Sequence, residues 1–323
     1  MSIKKLIEKI KKSDSFLITS HVNLEGDALG SELAFMRLVK KLGKRAVIVN
    51  EDDTPDAYKF LPGVEAIKKF RHNQPGIGFD CLVVLDCSSL KRCGEVHLLN
   101  TKGKQVINID HHVSNEFFGD YNWVDPKASC ASEVVYQLYK KMNVPIGKDE
   151  ALCMYVGIVT DTGSFRYTNT TAKLHSIVSE LMKFGLDASF VFNRVYGDIP
   201  FDDIKLLTKI LTRIKRDAGG RVAWLELLRK DIRHKHLRID LTDQLLNFVR
   251  LIKDVEVALL FKENLKNKGE VRVNLRSHGG LDVNSIASMF GGGGHKTASG
   301  ATIKGNIKSI KTKVINKIRE KLY

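Results

Sequence analysis

The sequence predicts an α/β protein of two domains, the first built on a parallel sheet with helices on both faces. Its 323 residues suffice for about two domains of ~150 residues each. In the first half, short apolar runs are continuous rather than alternating, which is typical of strands covered on both faces of a sheet. These runs span residues 16–19, 46–49, 81–85 and 105–109. After Gly219 and Gly220 the pattern changes to shorter helices and strands that include a hairpin.

The expected boundaries follow from this change of pattern. We predict a first domain over residues 1–188, a helical connector over 189–216 and a smaller α/β domain over 217–323. Helices are expected where apolar residues recur at helical spacing, as at Ile3, Leu6, Ile7 and Ile10. The other predicted helices are 28–42, 132–142, 150–159, 171–184, 189–215, 242–251, 284–289 and a basic terminal helix. Strands of the second domain are expected at 221–227, 255–261, 271–275 and 300–303.

The composition predicts a cytoplasmic protein with no membrane partner. No stretch approaches the ~20 apolar residues that span a bilayer, and lysines interrupt the N-terminus where a signal peptide needs an apolar run. The five cysteines are odd in number and form no C-x-x-C pair, which favours packed, reduced thiols over a disulfide framework or a zinc finger.

The net charge of +15 is unevenly distributed. Residues 217–323 hold 21 Lys and Arg against 11 Asp and Glu, a net of +10. This excess suggests a polyanionic partner or substrate. The alternative is a solvated basic face on the terminal helix, and charge alone does not decide between the two.

Acidic and imidazole side chains collect where apolar segments of the first domain end. His21, Glu25 and Asp27 follow the first strand, and Asp86 follows the strand at 81–85. The other positions, after segments 105–109 and 154–159, are Asp110, His111, His112 and Asp161. Ligands of open parallel sheets bind outside the carboxyl ends of the strands, so these side chains are expected to share one crevice.

Four carboxylates in one crevice would repel each other strongly unless cations neutralise them. Two divalent metal ions would balance the four charges. Imidazole and oxygen ligands without a thiolate make Mn²⁺ the expected metal, with Mg²⁺ or Co²⁺ as alternatives. Any one of these residues could instead cap a helix or lie in a loop, but all of them together favour a metal site.

This pattern resembles the DHH phosphoesterase superfamily over nearly the whole chain. His21, Glu25 and Asp27, followed by Ala28-Leu29-Gly30-Ser31, resemble its first motif, and Asp86 resembles the second. The third motif, which names the superfamily, is Asp110-His111-His112, and Asp161 in Thr160-Asp161-Thr162-Gly163 resembles the fourth. The second domain is similar to the DHH-associated domain, whose glycine-rich signature matches Gly291-Gly292-Gly293-Gly294-His295. Length and layout are most similar to the branch that degrades very short RNA and dephosphorylates adenosine 3′,5′-bisphosphate (pAp).

The resemblance implies a role for each matched residue. One metal ion would be bound by His21, Glu25 and Asp86. The second would be bound by Asp27, Asp86, His111 and Asp161, with Asp86 bridging the two ions. Asp110 would orient a histidine, and His112 would face the substrate as phosphate donor or general acid. Asp161 is also a candidate to accept the proton of the attacking water. Glu25 departs from the family, which usually has Asp there, so the ligand geometry at this position should differ.

Residues of the second domain are expected to bind the rest of the substrate. Consecutive glycines let backbone N–H groups approach a phosphate or a base. The candidates are Gly292, Gly293, Gly294, His295, Arg276 and Ser277, the last two by resemblance to the family as well. Arg166, in the first domain, is a further candidate, although an exposed structural arginine fits its position nearly as well. The active site is expected in the cleft between the two domains.

These features predict a metal-dependent phosphoesterase acting on oligoribonucleotides of a few residues and on pAp. A cleft suits a short substrate bound at one end. Long or duplex nucleic acid would need an extended basic channel or an additional OB-type module, for which the residues outside the two predicted domains are too few. One alternative is hydrolysis of a cyclic dinucleotide such as c-di-AMP, or of its linear product. Another is a non-catalytic nucleotide- or RNA-binding protein, which should lack at least one ligand. The sequence leaves the oligomeric state open, a homodimer included.

Overall fold

The computed structural model describes residues 3–73, 76–217, 219–232, 241–265 and 267–323. The chain forms two compact units, Met1–Gly197 (unit 1) and Asp198–Tyr323 (unit 2). Among the described residues, no helix combines the length and the apolar character needed to cross a lipid bilayer.

Unit 1 contains a six-stranded sheet in which every pair of neighbouring strands is parallel. Its strands are β1 (Ser15–Thr19), β2 (Arg45–Asn50), β3 (Lys68–Lys69), β4 (Cys81–Leu85), β5 (Gln105–Asp110) and β6 (Tyr121–Val124). The helices are α1 (Ile3–Lys12), α2 (Gly26–Lys41), α3 (Ala131–Met142), α4 (Lys148–Asp161), α5 (Ala172–Met182) and α6 (Ala188–Tyr196). The strand order β3-β2-β1-β4-β5-β6 reverses direction between β1 and β4, and such a switch point opens a crevice at the carboxyl ends of the two strands.

The two faces of this sheet are covered differently. Leu residues of α2 and α3, such as Leu29 and Leu138, pack with Phe16, Val83 and Ile107 in the larger apolar core. Short 3₁₀ helices, Leu90–Cys93 and Val96–Leu99, lie over the opposite face. The predicted α/β architecture is therefore confirmed, and the second face carries 3₁₀ helices and loops.

The bounds of α2 and α4 matter for the site. The Glu25 side chain caps α2 by accepting hydrogen bonds from the backbone N–H groups of Asp27 and Ala28, so the helix begins two residues before the predicted start. Helix α4 continues to Asp161, two residues beyond the predicted end, and delivers that carboxylate from a helix.

Unit 2 contains a six-stranded sheet of order β11-β12-β10-β9-β8-β7, antiparallel except for the pair β8 and β9. Its strands are β7 (Lys215–Arg216), β8 (Val222–Leu227), β9 (Val257–Glu263), β10 (Glu270–Ser277), β11 (Gly293–His295) and β12 (Ala298–Lys304). The helices are α7 (Phe201–Leu211), α8 (Arg229–Ile232), α9 (Leu241–Arg250), α10 (Val283–Ser288) and α11 (Ile307–Leu322). Two apolar clusters lie on opposite faces of this sheet.

One expectation about secondary structure is wrong. The single helix predicted over residues 189–215 is interrupted between α6 and α7, because Pro200 has no backbone N–H and disfavours helical conformation in the residue before it. Within the glycine run, Gly293 and Gly294 pair with β12 as part of β11.

Candidate active site

The switch point of the unit 1 sheet brings His21 and Asp86 together. His21 lies two residues beyond β1, and Asp86 directly follows the neighbouring strand β4. His21 Nδ1 donates a hydrogen bond to the Val22 carbonyl at 2.8 Å, so Nε2 faces Asp86 Oδ2 at 3.3 Å. The chain therefore presents a fixed imidazole nitrogen beside a carboxylate.

Asp86 is the centre of the cluster. Its backbone has a φ of +50°, which is uncommon for a residue other than glycine. Its Oδ1 lies 3.4 Å from His111 Nε2 and 3.6 Å from His112 Nδ1, but it is buried and accepts no hydrogen bond within the described part of the chain. Burial alone would raise the pKa of Asp86, but the imidazoles of His111 and His21 outweigh it and hold this pKa well below its usual range.

Asp27 is held by the start of α3. Its two carboxylate oxygens accept hydrogen bonds from the backbone N–H groups of Ala131 at 2.6 Å and Ser132 at 2.8 Å. These N–H groups have no partner within their own helix, and a carboxylate is favoured there. Burial, together with the negative charge of Asp86, nevertheless raises the pKa of Asp27 to about 6. On the other side of the cluster, Glu25 Oε1 lies 4.0 Å from His21 Nε2.

His111 and Asp161 form the part of the cluster that meets α4. His111 Nε2 lies 3.7 Å from Asp161 Oδ2, which also accepts a hydrogen bond from Asn169 Nδ2 at 3.4 Å. Burial raises the pKa of Asp161 to about 8, against the opposing effect of His111. Burial lowers the pKa of His111, but Asp161 and Asp86 outweigh it and the net shift is well upward. The pair therefore holds a proton more tightly than either group would in water.

Asp110 and His112 form a separate hydrogen-bonded pair. Asp110 Oδ1 accepts from His112 Nδ1 at 2.7 Å, and its Oδ2 accepts from Asn115 Nδ2 at 2.6 Å. Asn115 in turn contacts Asn108 Oδ1 at 2.8 Å. With Nδ1 bound to Asp110, Nε2 is the nitrogen of His112 that remains to act on a ligand.

Sequence reasoning missed Asn115 and Asn169, each of which holds one of the predicted site residues. Asparagine is common in loops, and neither residue belongs to a motif. Their function depends on contacts that form only in the folded chain, so the sequence offered no specific signal for them.

The side chains of the cluster fit divalent cations. Among the residues of unit 1 alone, three sets of ligand atoms each lie within 4.8 Å of one another. These sets are His21, Glu25 and Asp86; Asp27, His111 and Asp161; and Asp86, Asp110, His111 and His112. Asp86 Oδ1 is buried and accepts no hydrogen bond from the residues that the structure describes, and the carboxylates of Asp27 and Asp161 share His111 with it. Cations would supply the missing charge.

In unit 2, the predicted residues lie at the end of β10 and along or directly before β11, two strands that both pair with β12. Arg276 and Ser277 end β10, and His295 ends β11, where it pairs with Ala298 of β12. The Ser277 side chain is buried and its Oγ donates a hydrogen bond to the Leu281 carbonyl at 2.8 Å. Substrate binding by Ser277 therefore stays a prediction. The hydrogen bond to Leu281 does not favour it, because the hydroxyl proton is already donated within the protein.

The glycine run has a structural requirement of its own. A Cβ on Gly292 would lie 2.2 Å from the Gly300 carbonyl oxygen, so no other residue fits there without a backbone shift. Gly294 has a φ of +144°, and a Cβ there would lie 2.5 Å from the Ala298 carbonyl oxygen. A Cβ on Gly293 would meet only Asn284 Oδ1 at 3.8 Å. Gly291 also has open space around it, but its φ is +71°. Gly293 is thus the member of this run for which neither packing nor backbone conformation requires glycine.

Arg166 lies in the turn after α4. Gly163, Ser164 and Phe165 all have positive φ values, and the Arg166 Nε donates a hydrogen bond to the Gly163 carbonyl at 2.6 Å. The side chain is exposed. This turn places a solvated guanidinium five residues after Asp161, and its contact with a substrate stays a prediction.

Comparison with known proteins agrees with these motifs. The model of the DHH family N-terminal domain matches residues 15–158, and that of the DHHA1 domain matches residues 228–321. The chain is 33% identical to the bifunctional oligoribonuclease and PAP phosphatase of Thermus thermophilus, over 94% of this chain and 89% of the relative. It is 27% identical to the protein of the same name from Bacillus subtilis, over 92% of each chain.

A solved structure shows the same fold. The exopolyphosphatase-related protein from Bacteroides fragilis superimposes with a TM-score of 0.88 at 27% identity, over 99% of this chain and 95% of that chain. Both sequence matches and this structural match extend across the two units. The chain therefore belongs to the DHH phosphoesterase superfamily.

Proposed function

We propose that this chain is a cytoplasmic hydrolase that cleaves short oligoribonucleotides and removes the 3′-phosphate of pAp, with two divalent cations, Mn²⁺ first among them. The names of the relatives from T. thermophilus and B. subtilis support the substrates. The observation that carries the proposal is the convergence of six potential ligands around Asp86, whose buried Oδ1 has no hydrogen bond in the described part of the chain.

Asp86 lies between the two groups of residues that would hold the cations. His21 and Glu25 lie on its Oδ2 side, and His111 faces its Oδ1. Asp27 and Asp161 complete the second set with His111. When bound, divalent cations offset the charge of the phosphate and lower the pKa of water, which favours in-line displacement at phosphorus.

The protein groups would supply orientation and proton transfer. Asp110 fixes Nδ1 of His112, so His112 Nε2 can donate a proton to the departing oxygen. With cations bound, Asp161 would be ionised, and its carboxylate could then accept a proton from the attacking water. Burial alone would raise the pKa of Asp110, but its hydrogen bond with His112 outweighs burial and lowers this pKa, so Asp110 accepts from His112 Nδ1 as a carboxylate. No covalent intermediate with the protein is required.

Substrate selection would depend on groups that bind the nucleotide beyond the reacting phosphate. Arg276 and the backbone N–H groups at Gly293 are the candidates in unit 2, and Arg166 is the candidate in unit 1. Binding energy from a second nucleotide would position the reacting phosphate, which favours substrates of a few residues.

The test compares substrates and variants with Mn²⁺ present. An equimolar mixture of RNA dimer, RNA pentamer, pAp, c-di-AMP and pyrophosphate should give the highest initial rates for the RNA dimer and pAp. Asp161→Ala should lower these rates by more than about a hundredfold, because it removes both a ligand and the proton acceptor. Asp149→Ala is the matched control, since Asp149 lies at the exposed start of the same helix and pairs with Arg37.

Three results would contradict the proposal. The first is no hydrolysis of any substrate by the wild type, which would favour a binding protein. The second is c-di-AMP as the fastest substrate, which would favour the cyclic-dinucleotide alternative. The third is an Asp161→Ala variant as active as Asp149→Ala.

A further inference from the structure

A buried glutamate and asparagine lie behind the metal-ligand cluster. Glu32 of α2 and Asn50, the last residue of β2, are 0% and 1% exposed. Asn50 Nδ2 donates a hydrogen bond to Glu32 Oε2 at 2.8 Å. Glu32 Oε1 has no hydrogen-bond partner among the residues that the structure describes. A buried acid with so few partners is costly, so its presence calls for a reason.

Asn50 connects this glutamate to the segment that carries His21. Its Oδ1 accepts hydrogen bonds from the backbone N–H of Ser20 and from Thr19 Oγ1, both at 3.3 Å. A carboxamide has one donor end and one acceptor end. Because Glu32 accepts from the Nδ2 end, the Oδ1 end is fixed toward the Ser20 N–H. Without an acceptor at position 32, the Asn50 carboxamide could rotate. Its Nδ2 donor would then face the Ser20 N–H, which is also a donor.

The same residues tie together the two strands of the switch point. Ser20 Oγ donates a hydrogen bond to the Leu85 carbonyl at 2.7 Å. Ser20 directly precedes His21, and Leu85 directly precedes Asp86. The network therefore joins the ends of β1, β2 and β4 immediately behind two side chains whose Nε2 and Oδ2 atoms are 3.3 Å apart.

Glu32 is suited to act as a neutral acceptor. Burial raises its pKa to about 8, with the hydrogen bond from Asn50 opposing and the charge of Asp86 adding to the shift. At neutral pH it is therefore mainly the uncharged acid, which can accept through its carbonyl oxygen. Glutamine keeps such an oxygen and nearly the same shape, whereas leucine keeps only the bulk.

We propose that Glu32 is a positioning residue: by accepting from Asn50 it orients the carboxamide that holds Ser20, and so fixes His21 beside Asp86. This inference rests on the proposed function only in the part of the test that measures metal binding and activity.

The test uses three full-length variants. Glu32→Leu removes the acceptor, Glu32→Gln keeps it, and Glu150→Leu is the control for loss of a buried glutamate. Glu150 is 4% exposed and pairs with Lys41 at the start of α4, about 16 Å along the helix from Asp161. By calorimetry, Glu32→Leu should weaken Mn²⁺ binding ~10–100-fold, the range typical of groups that orient ligands. Glu32→Gln and Glu150→Leu should stay within about threefold of the wild type on the same scale. The loss in Glu32→Leu should appear in kcat and leave KM nearly unchanged.

Hydrogen exchange in the metal-free protein provides a readout independent of activity. The Ser20 amide should exchange at least about tenfold faster in Glu32→Leu, because its acceptor is no longer oriented, and at the wild-type rate in Glu32→Gln. If Glu32→Leu only lowers the melting temperature, as Glu150→Leu does, Glu32 is a packing residue and the inference is wrong. Equal losses in Glu32→Gln and Glu32→Leu would also overturn it. A wild type that binds no Mn²⁺ would count against the proposed function, and Ser20 exchange would still decide the role of Glu32.

Discussion

The two regions that carry the predicted functional residues are built in different ways. In unit 1, buried acids and imidazoles come from the ends of separate strands and helices, and neighbouring polar groups hold several of them, as Asn115 holds Asp110. In unit 2, the candidates lie on or beside two strands, β10 and β11, that flank β12, and backbone packing alone explains Gly292 and Gly294. A cluster of buried like charges needs a chemical reason, whereas a run of glycines can have a purely structural one.

The largest expected effect concerns the residue at the centre of the unit 1 cluster. Asp86→Ala should weaken Mn²⁺ binding and lower kcat by more than about a hundredfold, beyond the range for groups that only orient ligands. Asp80→Ala is the matched control, because Asp80 lies at the opposite end of β4 and accepts from Ser15 Oγ at 2.9 Å. Calorimetry and steady-state kinetics measure both variants. Equal metal affinity in the two would remove the reason for treating unit 1 as the metal-binding region.

Much of the fold could be predicted because burial leaves a strong trace in the sequence. Strand β4 and the centre of β1 are continuously apolar, since both of their faces are covered, and β5 is interrupted only by Asn108 between its apolar residues. Strand β6 is half-buried, and its residues Tyr121–Val124 include polar Asn122, so no apolar run marked it. The helix predicted through Pro200 was wrong because apolar periodicity continues across the interruption that the proline causes.

The site was predictable only in part. Its ionisable side chains follow apolar segments, a pattern that can be read directly from the sequence. The structure brings together His21, Glu25, Asp27, Asp86, His111 and Asp161. The groups that orient them were not visible. Asn50 contacts a residue 30 positions away, and the N–H groups that hold Asp27 are those of Ala131 and Ser132. Such contacts depend on how the chain folds back on itself.

The glycine run of unit 2 offers a way to separate structural from ligand-binding glycines. Gly292→Ala should lower the free energy of unfolding of unit 2 by about 1–3 kcal/mol, the usual cost of forcing atoms into a packed site. Gly293→Ala should change it by less than about 0.5 kcal/mol, because the added carbon meets nothing closer than 3.8 Å. Urea denaturation in a Trp123→Phe background, with Trp224 fluorescence as the probe, measures unit 2 alone.

The same pair also tests the role of Gly293. If its backbone N–H binds substrate, Gly293→Ala should raise KM without destabilising the unit. Equal stability losses in the two variants would mean that the whole run is structural, and the contrast between the two regions would become sharper.

The last comparison uses pH to set a buried glutamate of unit 1 against a more exposed one of unit 2. Glu32 has an ordinary pKa of 4.5 in the unfolded chain and about 8 in the folded one, so the proton is held more tightly in the folded state. Its contribution to stability is therefore fully present below pH 4.5 and is lost as the pH rises to about 8. Glu32→Gln has no such dependence, so its stability relative to the wild type should rise by up to about 1.4 kcal/mol per pH unit between pH 5 and 8.

Glu256 of unit 2 should show the opposite behaviour. Its hydrogen bonds with Arg221, at 2.7 and 3.0 Å, lower its pKa, so its contribution is present above the ordinary value of 4.5 and is lost only as the pH falls below it. The stability difference between Glu256→Gln and the wild type should thus stay constant from pH 5 to 8. Urea denaturation in EDTA, followed by Trp123 for unit 1 and Trp224 for unit 2, measures both. If the stability difference between Glu32→Gln and the wild type does not change with pH, Glu32 ionises normally. Burial in unit 1 would then not hold its carboxyl group in the neutral form.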